Sequence, residues 1–178
     1  NGDFLDLTLS WTSTARAQSF EIKTPFLVKG RYKVWVCYVQ NGNAATLQAT
    51  FNPGKADEQV LPNLVMLNQS LNGGSGVSTT VLRDDPNADN LLLAQGYKRY
   101  YATVGDYNPN GITQNLRPKD GDGTLNIGRL VGTINVETTD RHTLRFTAVA
   151  EPRWQSNAVW LDMIHFIPAD DPEQIYPR

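Results

Sequence analysis

The sequence predicts an all-β domain of antiparallel strands, on three observations. Apolar and polar residues alternate in many short runs. Turn formers, 14 Gly and 10 Pro, punctuate those runs along the whole chain. No window carries an amphipathic stripe long enough for a helix of about twelve residues.

The runs follow in order. "DFLDLTLSW" (Asp3 to Trp11) puts Leu5, Leu7 and Leu9 on one face. "SFEIKTPFLV" pairs Phe20 with Ile22 before Pro25 interrupts the ladder. "GRYKVWVCYV" sends Tyr32, Val34, Val36 and Tyr38 to the core face, and Lys33, Trp35 and Cys37 to the other. Burial of Trp35 then requires a cover from elsewhere in the chain. "ATLQATF" places Leu47, Ala49 and Phe51 together. "QVLPNLVMLNQSL" (Gln59 to Leu71) admits a short helix or an irregular stretch. "RLVGTINVET" and "HTLRFTAVA" repeat the alternation, with Leu144, Phe146 and Ala148 in phase. "AVWLDMIHFIP" closes the series, His165 facing away from Ile164 and Phe166.

A chain of 178 residues fits one domain, 1–178, and can bury a core without staples. Its middle is different. A loop-rich insert spans about 61–122, with "NGGSGVS", "RDDPNADN", "GDYNPNG" and "RPKDGDGT" separating two apolar pieces, "NLLLAQ" and "GYKRYYATV". Long irregular segments in compact domains carry function more often than connections of ordinary length. There is no fixed-period repeat and no domain linker, and "PADDPEQIYPR" reads as an exit tail. The chain starts at Asn1 rather than Met, which points to a piece cut from a longer protein or to a processed product.

Composition removes several functions. A net charge of −2 lacks the basic footprint of a nucleic-acid binder and the polybasic patch of a membrane-surface protein. No run of about 18 apolar residues is present to span a bilayer as a helix. Cys37 is the only cysteine, which excludes an intrachain disulfide and a cysteine-cluster zinc site. A single cysteine leaves the compartment open.

Catalytic signatures are missing. His142, in the turn-like "TTDRHT", and His165 are the only histidines, and neither has ligand-set spacing. There is no nucleophile elbow, phosphate loop or zincin motif. Eighteen acids offer many pairs, but nothing singles out the two carboxylates of a glycosidase. The expectation is a protein that is not an enzyme and needs no cofactor. "KDGDGT" sets Asp120 and Asp122 two apart between glycines, a spacing that suits a hard cation such as Ca²⁺ and equally suits a tight acidic turn.

The aromatics say more. Four Trp and seven Tyr are many for this length, and several fall in turn-rich segments. Trp11 precedes "TSTAR"; Tyr97, Tyr100 and Tyr101 crowd "GYKRYY"; Tyr107 sits in "GDYNPNG" and Trp154 in "EPRWQSN". Rings mixed with Asn, Gln and Arg suit a sugar, whose C–H face stacks on a ring while its hydroxyls take amide and guanidinium partners. The plainer use of such rings is to seal the ends of the fold.

Two stretches together resemble a known family. "FLVKGRYKVWVCYV" (Phe26 to Val39) is similar to the "G-x-Y-x-V-x-V-x-Y" strand of galactose-binding-like β-sandwiches, the jelly rolls that include many carbohydrate-binding modules. "DRHTLRFTAVAEPRWQSNAVWLDMIHFIP" (Asp140 to Pro168) resembles their closing pair, and "RLVGTINVETT" the strand before it. The wording is also similar to a domain that follows fasciclin repeats in surface lipoproteins of polysaccharide-degrading Gram-negative bacteria. The resemblance covers about three fifths of the chain and carries more about fold than about function.

It implies an antiparallel jelly-roll sandwich that binds a polysaccharide or oligosaccharide outside the cell or at the outer-membrane surface. In sugar-binding members, loops at one end of the sandwich clamp the ring. Carried over, Trp154 and Asn157 match that loop, with Tyr97, Tyr101 or Tyr107 as the opposing aromatic and Asn41 and Asn43 following the "Y-x-V-x-V-x-Y" strand. Trp11 joins the same candidate set. Many members hold a structural calcium through the Asp of the last strand, which Asp162 matches. Two departures stand: Asn157 lies five residues before Asp162 rather than beside it, and the insert is unlike the family. The competing reading is a structural or protein-interaction module that contacts neighbouring domains of its own chain.

Overall fold

The computed structural model describes residues 5–9, 17–39, 45–67, 93–100, 126–150 and 158–171. They form ten strands: β1 (Leu5–Thr8), β2 (Ser19–Leu27), β3 (Gly30–Val39), β4 (Thr46–Phe51), β5 (Gln59–Val60), β6 (Val65–Met66), β7 (Tyr97–Tyr100), β8 (Asn126–Val136), β9 (Asp140–Ala150) and β10 (Ala158–Pro168). The expected all-β class is what the chain adopts. "QVLPNLVMLNQSL" corrects one expectation: where a short helix was admissible, β5 and β6 both pair with β4. Pro62 and Asn63 between them break any helical turn, and the apolar residues find a sheet edge instead.

The strands make two five-stranded antiparallel sheets. One runs β1-β10-β3-β8-β7; the other runs β2-β9-β4-β5, with β6 also on β4. The connections β2 to β3, β3 to β4, β8 to β9 and β9 to β10 each pass from one sheet to the other. Consecutive strands therefore face each other across the core, and each presents its alternate apolar residues to it.

That core holds Val34, Val36 and Tyr38 of β3, Leu47, Ala49 and Phe51 of β4, Ile134 of β8, and Leu144 and Phe146 of β9, all without exposure. Burying each large apolar side chain contributes about 1.5–3 kcal/mol. Phe20 stacks on Phe146 at 5.2 Å between ring centroids, fixing β2 against β9. β1 is short, yet Asp6 accepts a hydrogen bond from Trp160 Nε1 directly across the strand pair (3.0 Å).

The outer strand β2 carries Pro25 inside a bulge between Lys23 and Phe26. Bulges and proline are standard protection for an exposed sheet edge. Inside the other sheet, β10 bulges at Asp162, between Leu161 and Met163 in its pairing with β3.

The two ends of the sandwich differ. At the turn end β2 passes to β3 through Val28 and Lys29, β4 to β5 through Asn52 to Glu58, and β8 to β9 through Glu137 to Thr139. At the opposite, far end, the strands open into the long connections.

Candidate functional site

Strand register places the connections that carry the expected binding residues. β3 reaches the far end at Val39, opposite Asn126, where β8 begins; Asn126 is in turn opposite Tyr100, where β7 stops. β9 ends there at Ala150, opposite Thr46 at the start of β4. β10 begins there at Ala158, opposite Thr8, the last residue of β1. Segments 9–18, 40–45, 101–125 and 151–157 therefore all spring from one end of the sandwich. They contain Trp11, Asn41, Asn43, Tyr101, Tyr107, Asp120, Asp122, Trp154 and Asn157. Those nine residues themselves lie outside the described residues.

Two of the expected residues are described. Tyr97 sits on β7, is 6% exposed and belongs to the core cluster. Its ring is covered by Arg129, whose guanidinium carbon lies 4.4 Å from the centroid. Arg129 is itself anchored by donating to the carbonyls of Gln95 (2.7 Å) and Gly96 (3.3 Å). Burial pushes the neighbouring Tyr38 phenol well above the usual range, Tyr97 adds to the push, and Arg129 opposes it. As placed, Tyr97 braces β7 on β8 beneath the far end.

Asp162 lies at the β10 bulge. It lines a half-open groove between the sheet edges, together with Ile22 of β2, Leu144 of β9, and Leu161, Ile164 and Phe166 of β10. Desolvation in this apolar groove raises its carboxyl above the ordinary carboxylate value, with His165 pulling the other way. Among the described residues no three His, Cys, Asp or Glu side chains come together around a metal position.

The outer face of β3 carries a second cluster. Trp35 pairs with His165 and Cys37 with Met163, so the four share one face, away from Val34 and Val36. Trp35 and Cys37 have no exposed surface. The ammonium of Lys98, on β7, stands 4.1 Å from the Trp35 ring centroid. Gly128, which has no side chain, lies between Lys98 and Cys37 in the cross-strand row. Burial lowers His165 below the ordinary imidazole value; Lys98 adds to this and Asp162 opposes it. His165 is thus held toward its neutral form.

At the turn end the sequence reading missed a buried polar hub. His142 opens β9 and is 3% exposed, its ring packed 5.0 Å from that of Phe51. Its Nδ1 lies 3.0 Å from Asn52 Nδ2 and its Nε2 lies 3.0 Å from the Thr138 carbonyl. Asn52 Nδ2 also donates to Asp57 (2.7 Å), and Asn52 Oδ1 accepts from Thr143 N (3.3 Å). The signal was in the sequence: His142 is in phase with Leu144, Phe146 and Ala148, which puts it on the core face.

In comparison with known proteins, no family model, no curated protein and no solved structure matches this chain.

Proposed function

We propose that this domain binds carbohydrate, a polysaccharide or oligosaccharide, without catalysis, through aromatic and amide side chains at the far end of the sandwich. The observation that supports it most is topological. The segments bearing Trp11, Asn41, Asn43, Tyr101, Tyr107, Trp154 and Asn157 are anchored on strand termini that meet at one end. A sandwich whose most aromatic connections start from strand termini at one end has the general plan of a binding module. Within this reading the sandwich is a galactose-binding-like jelly roll at the bacterial cell surface, part of a lipoprotein of polysaccharide utilisation. Asp120, Asp122 and Asp162 are its candidate calcium ligands.

Single sugar-binding sites are weak, and repetition along a polymer compensates. Affinity electrophoresis against a panel of soluble polysaccharides tests the proposal. Retardation by at least one glycan, relieved by its free oligosaccharide, supports it. Migration unchanged by every glycan, with the same result for Trp154→Ala, overturns it.

The alternative is a protein-interaction module, favoured by Phe26 and Val28, which are 61% and 60% exposed at the turn end. Adjacent exposed apolar residues of this size mark contact surfaces more often than scattered ones do.

A further inference from the structure

We infer that His142 is a proton-operated latch on the turn end: its neutral ring holds the β4–β5 turn, and protonation at Nδ1 releases it.

The hydrogen bonds around His142 admit one arrangement. Thr143 N–H donates to Asn52 Oδ1, which identifies the oxygen of that carboxamide. The amide nitrogen therefore points both to the Asp57 carboxylate and to His142 Nδ1. Facing an N–H₂ group, Nδ1 is an acceptor and carries no proton. Nε2 faces the Thr138 carbonyl and is the donor. The ring is thus the neutral Nε2–H tautomer, with both nitrogens used.

A second proton has no place in this network. On Nδ1 it meets the Asn52 amide hydrogens. Turning the Asn52 carboxamide over would offer oxygen to the ring, but would aim N–H₂ at Thr143 N–H and oxygen at the Asp57 carboxylate. One favourable contact would replace two. Asn52 holds a left-handed backbone (φ 47°) and gives the turn its first hydrogen bond, from Lys55 N to Asn52 O (3.1 Å). The next runs from Glu58 N to Lys55 O (3.1 Å), on the residue that the first one holds. Loosening Asn52 therefore loosens the Asn52 to Glu58 turn.

The charged neighbours are accounted for element by element. From the β4–β5 turn, Asp57 accepts from Asn52 Nδ2 (2.7 Å), the same amide nitrogen that faces the ring. From β2, the Lys23 ammonium is on Thr143 Oγ1 (2.7 Å), while Thr24 Oγ1 accepts from the backbone of His142 (2.8 Å). Beside the β8–β9 turn, Glu137 accepts from Asn135 Nδ2 (2.6 Å) and Asp140 from Arg141 N (2.7 Å). No carboxylate among the described residues is bonded to Nδ1, where a protonated ring would need one.

Amide-exchange and imidazole NMR of the 178-residue chain between about pH 8 and about pH 4.5 tests the latch. The expected result is an Nε2–H tautomer at the alkaline end. As His142 protonates, the Lys55 and Glu58 protection factors fall about tenfold with the same midpoint, while the amides of β3 and those of β9 from Leu144 onward keep theirs. His142→Asn retains an acceptor toward Asn52 but cannot titrate, so the step disappears. Asp57→Asn retains the acceptor for Asn52 Nδ2 and keeps the step, which separates His142 from Asp57 as its source. In the double variant Asn52→Asp with Asp57→Asn, a carboxylate faces Nδ1 and protection rises on acidification. Turn amides indifferent to His142 protonation overturn the latch, as does a step that survives in His142→Asn. Cooperative loss of the whole sandwich in place of a local step also overturns it. Should His142→Asn not fold, the wild type and Asp57→Asn together decide.

Discussion

The Lys98 ammonium stands 4.1 Å from the centroid of the Trp35 ring, across two strands of one sheet. This contact ties the outermost strand β7 to the central strand β3 on the face away from the core. Among the described residues Trp35 Nε1 has no hydrogen-bond partner, and the contacts described for the ring are packing and this cation. Lys98→Met keeps the aliphatic stem and removes the charge. It should lower the unfolding free energy by about 0.5–2 kcal/mol in urea titrations, with Lys98→Arg close to wild type. Equal stability of Lys98→Met and wild type would show that the stem alone supplies the cover.

The same substitution has a signed pH consequence. Burial first, and Lys98 second, lower His165 below its ordinary value. As pH falls, the unfolded imidazole takes its proton before the folded one does. The stability contributed by neutral His165 is therefore full above the ordinary imidazole value of about 6.5 and declines as pH falls through the window below it. Removing the Lys98 charge narrows that window. NMR titration should find His165 protonating at higher pH in Lys98→Met, and the stability profile should be shallower there. An unmoved His165 titration rejects the coupling.

Gly132 sits on β8 with φ 153°, and a Cβ there would lie 2.6 Å from Pro62 Cδ and 3.3 Å from Leu61 Cβ. Pro62 cannot yield as a flexible side chain would, because its ring is part of the backbone. Gly132→Ala should cost about 2 kcal/mol or more, from combined backbone strain and overpacking, measured as a shift of the urea midpoint at constant slope. A loss below about 0.5 kcal/mol would mean that the β5–β6 segment moves aside freely.

Much of this architecture was legible because alternation is a local signal. β3, β4 and β9 each announce a core face by period two, and the core adopts those residues; in β10 the bulge at Asp162 shifts the phase from Val159 and Leu161 to Ile164 and Phe166. The signal weakens where a strand has only two residues. Nothing in "QVLPNLVMLN" distinguishes a sheet edge from a short helix until β4 is there to pair with it. Alternation also names faces without saying what covers them. Period two puts Trp35 on the outer face, but its full burial depends on long-range partners such as Lys98 on β7. Polar residues on a core face are the hardest to read. His142 and Asn52 are 90 positions apart, and only the folded chain reveals that one satisfies the other. The gathering of the candidate segments at one end follows from register and sheet order, which the resemblance implied and strand periodicity alone did not.

Asp162 gives a prediction with the opposite sign to His165. Desolvation raises its carboxyl, so the folded state favours the protonated form. Its stabilising contribution is present below the unfolded value of about 3.9 and is lost as pH rises through the higher folded value. Asp162→Asn should therefore raise the melting temperature at neutral pH, and the gain should vanish toward acid. Calcium reverses the comparison. If Asp162 is a ligand, millimolar Ca²⁺ should stabilise the wild type and leave Asp162→Asn unmoved. Identical calcium responses in the two proteins remove Asp162 from any calcium site.

The polarity of the sandwich provides the sharpest test of function, because the two readings use opposite ends. Trp154 and Asn157 belong to a segment anchored at the far end, between Ala150 and Ala158, whereas Phe26 and Val28 are exposed at the turn end. Stacking on one aromatic is a large share of a weak site's affinity, so Trp154→Ala should reduce glycan retardation at least about tenfold, corresponding to about 1.4 kcal/mol. Asn157→Ala should weaken it less, having removed one hydrogen-bonding partner. The double variant Phe26→Ser with Val28→Ser should bind glycan like wild type, since neither side chain supports the far end. Carrying the three variants through the same gel, with urea unfolding as a check of the fold, separates the readings. Loss of glycan binding in the turn-end variant alone would move the site to the opposite end. Loss of a protein partner in that variant, with no glycan response in any of the three, would establish the interaction module instead.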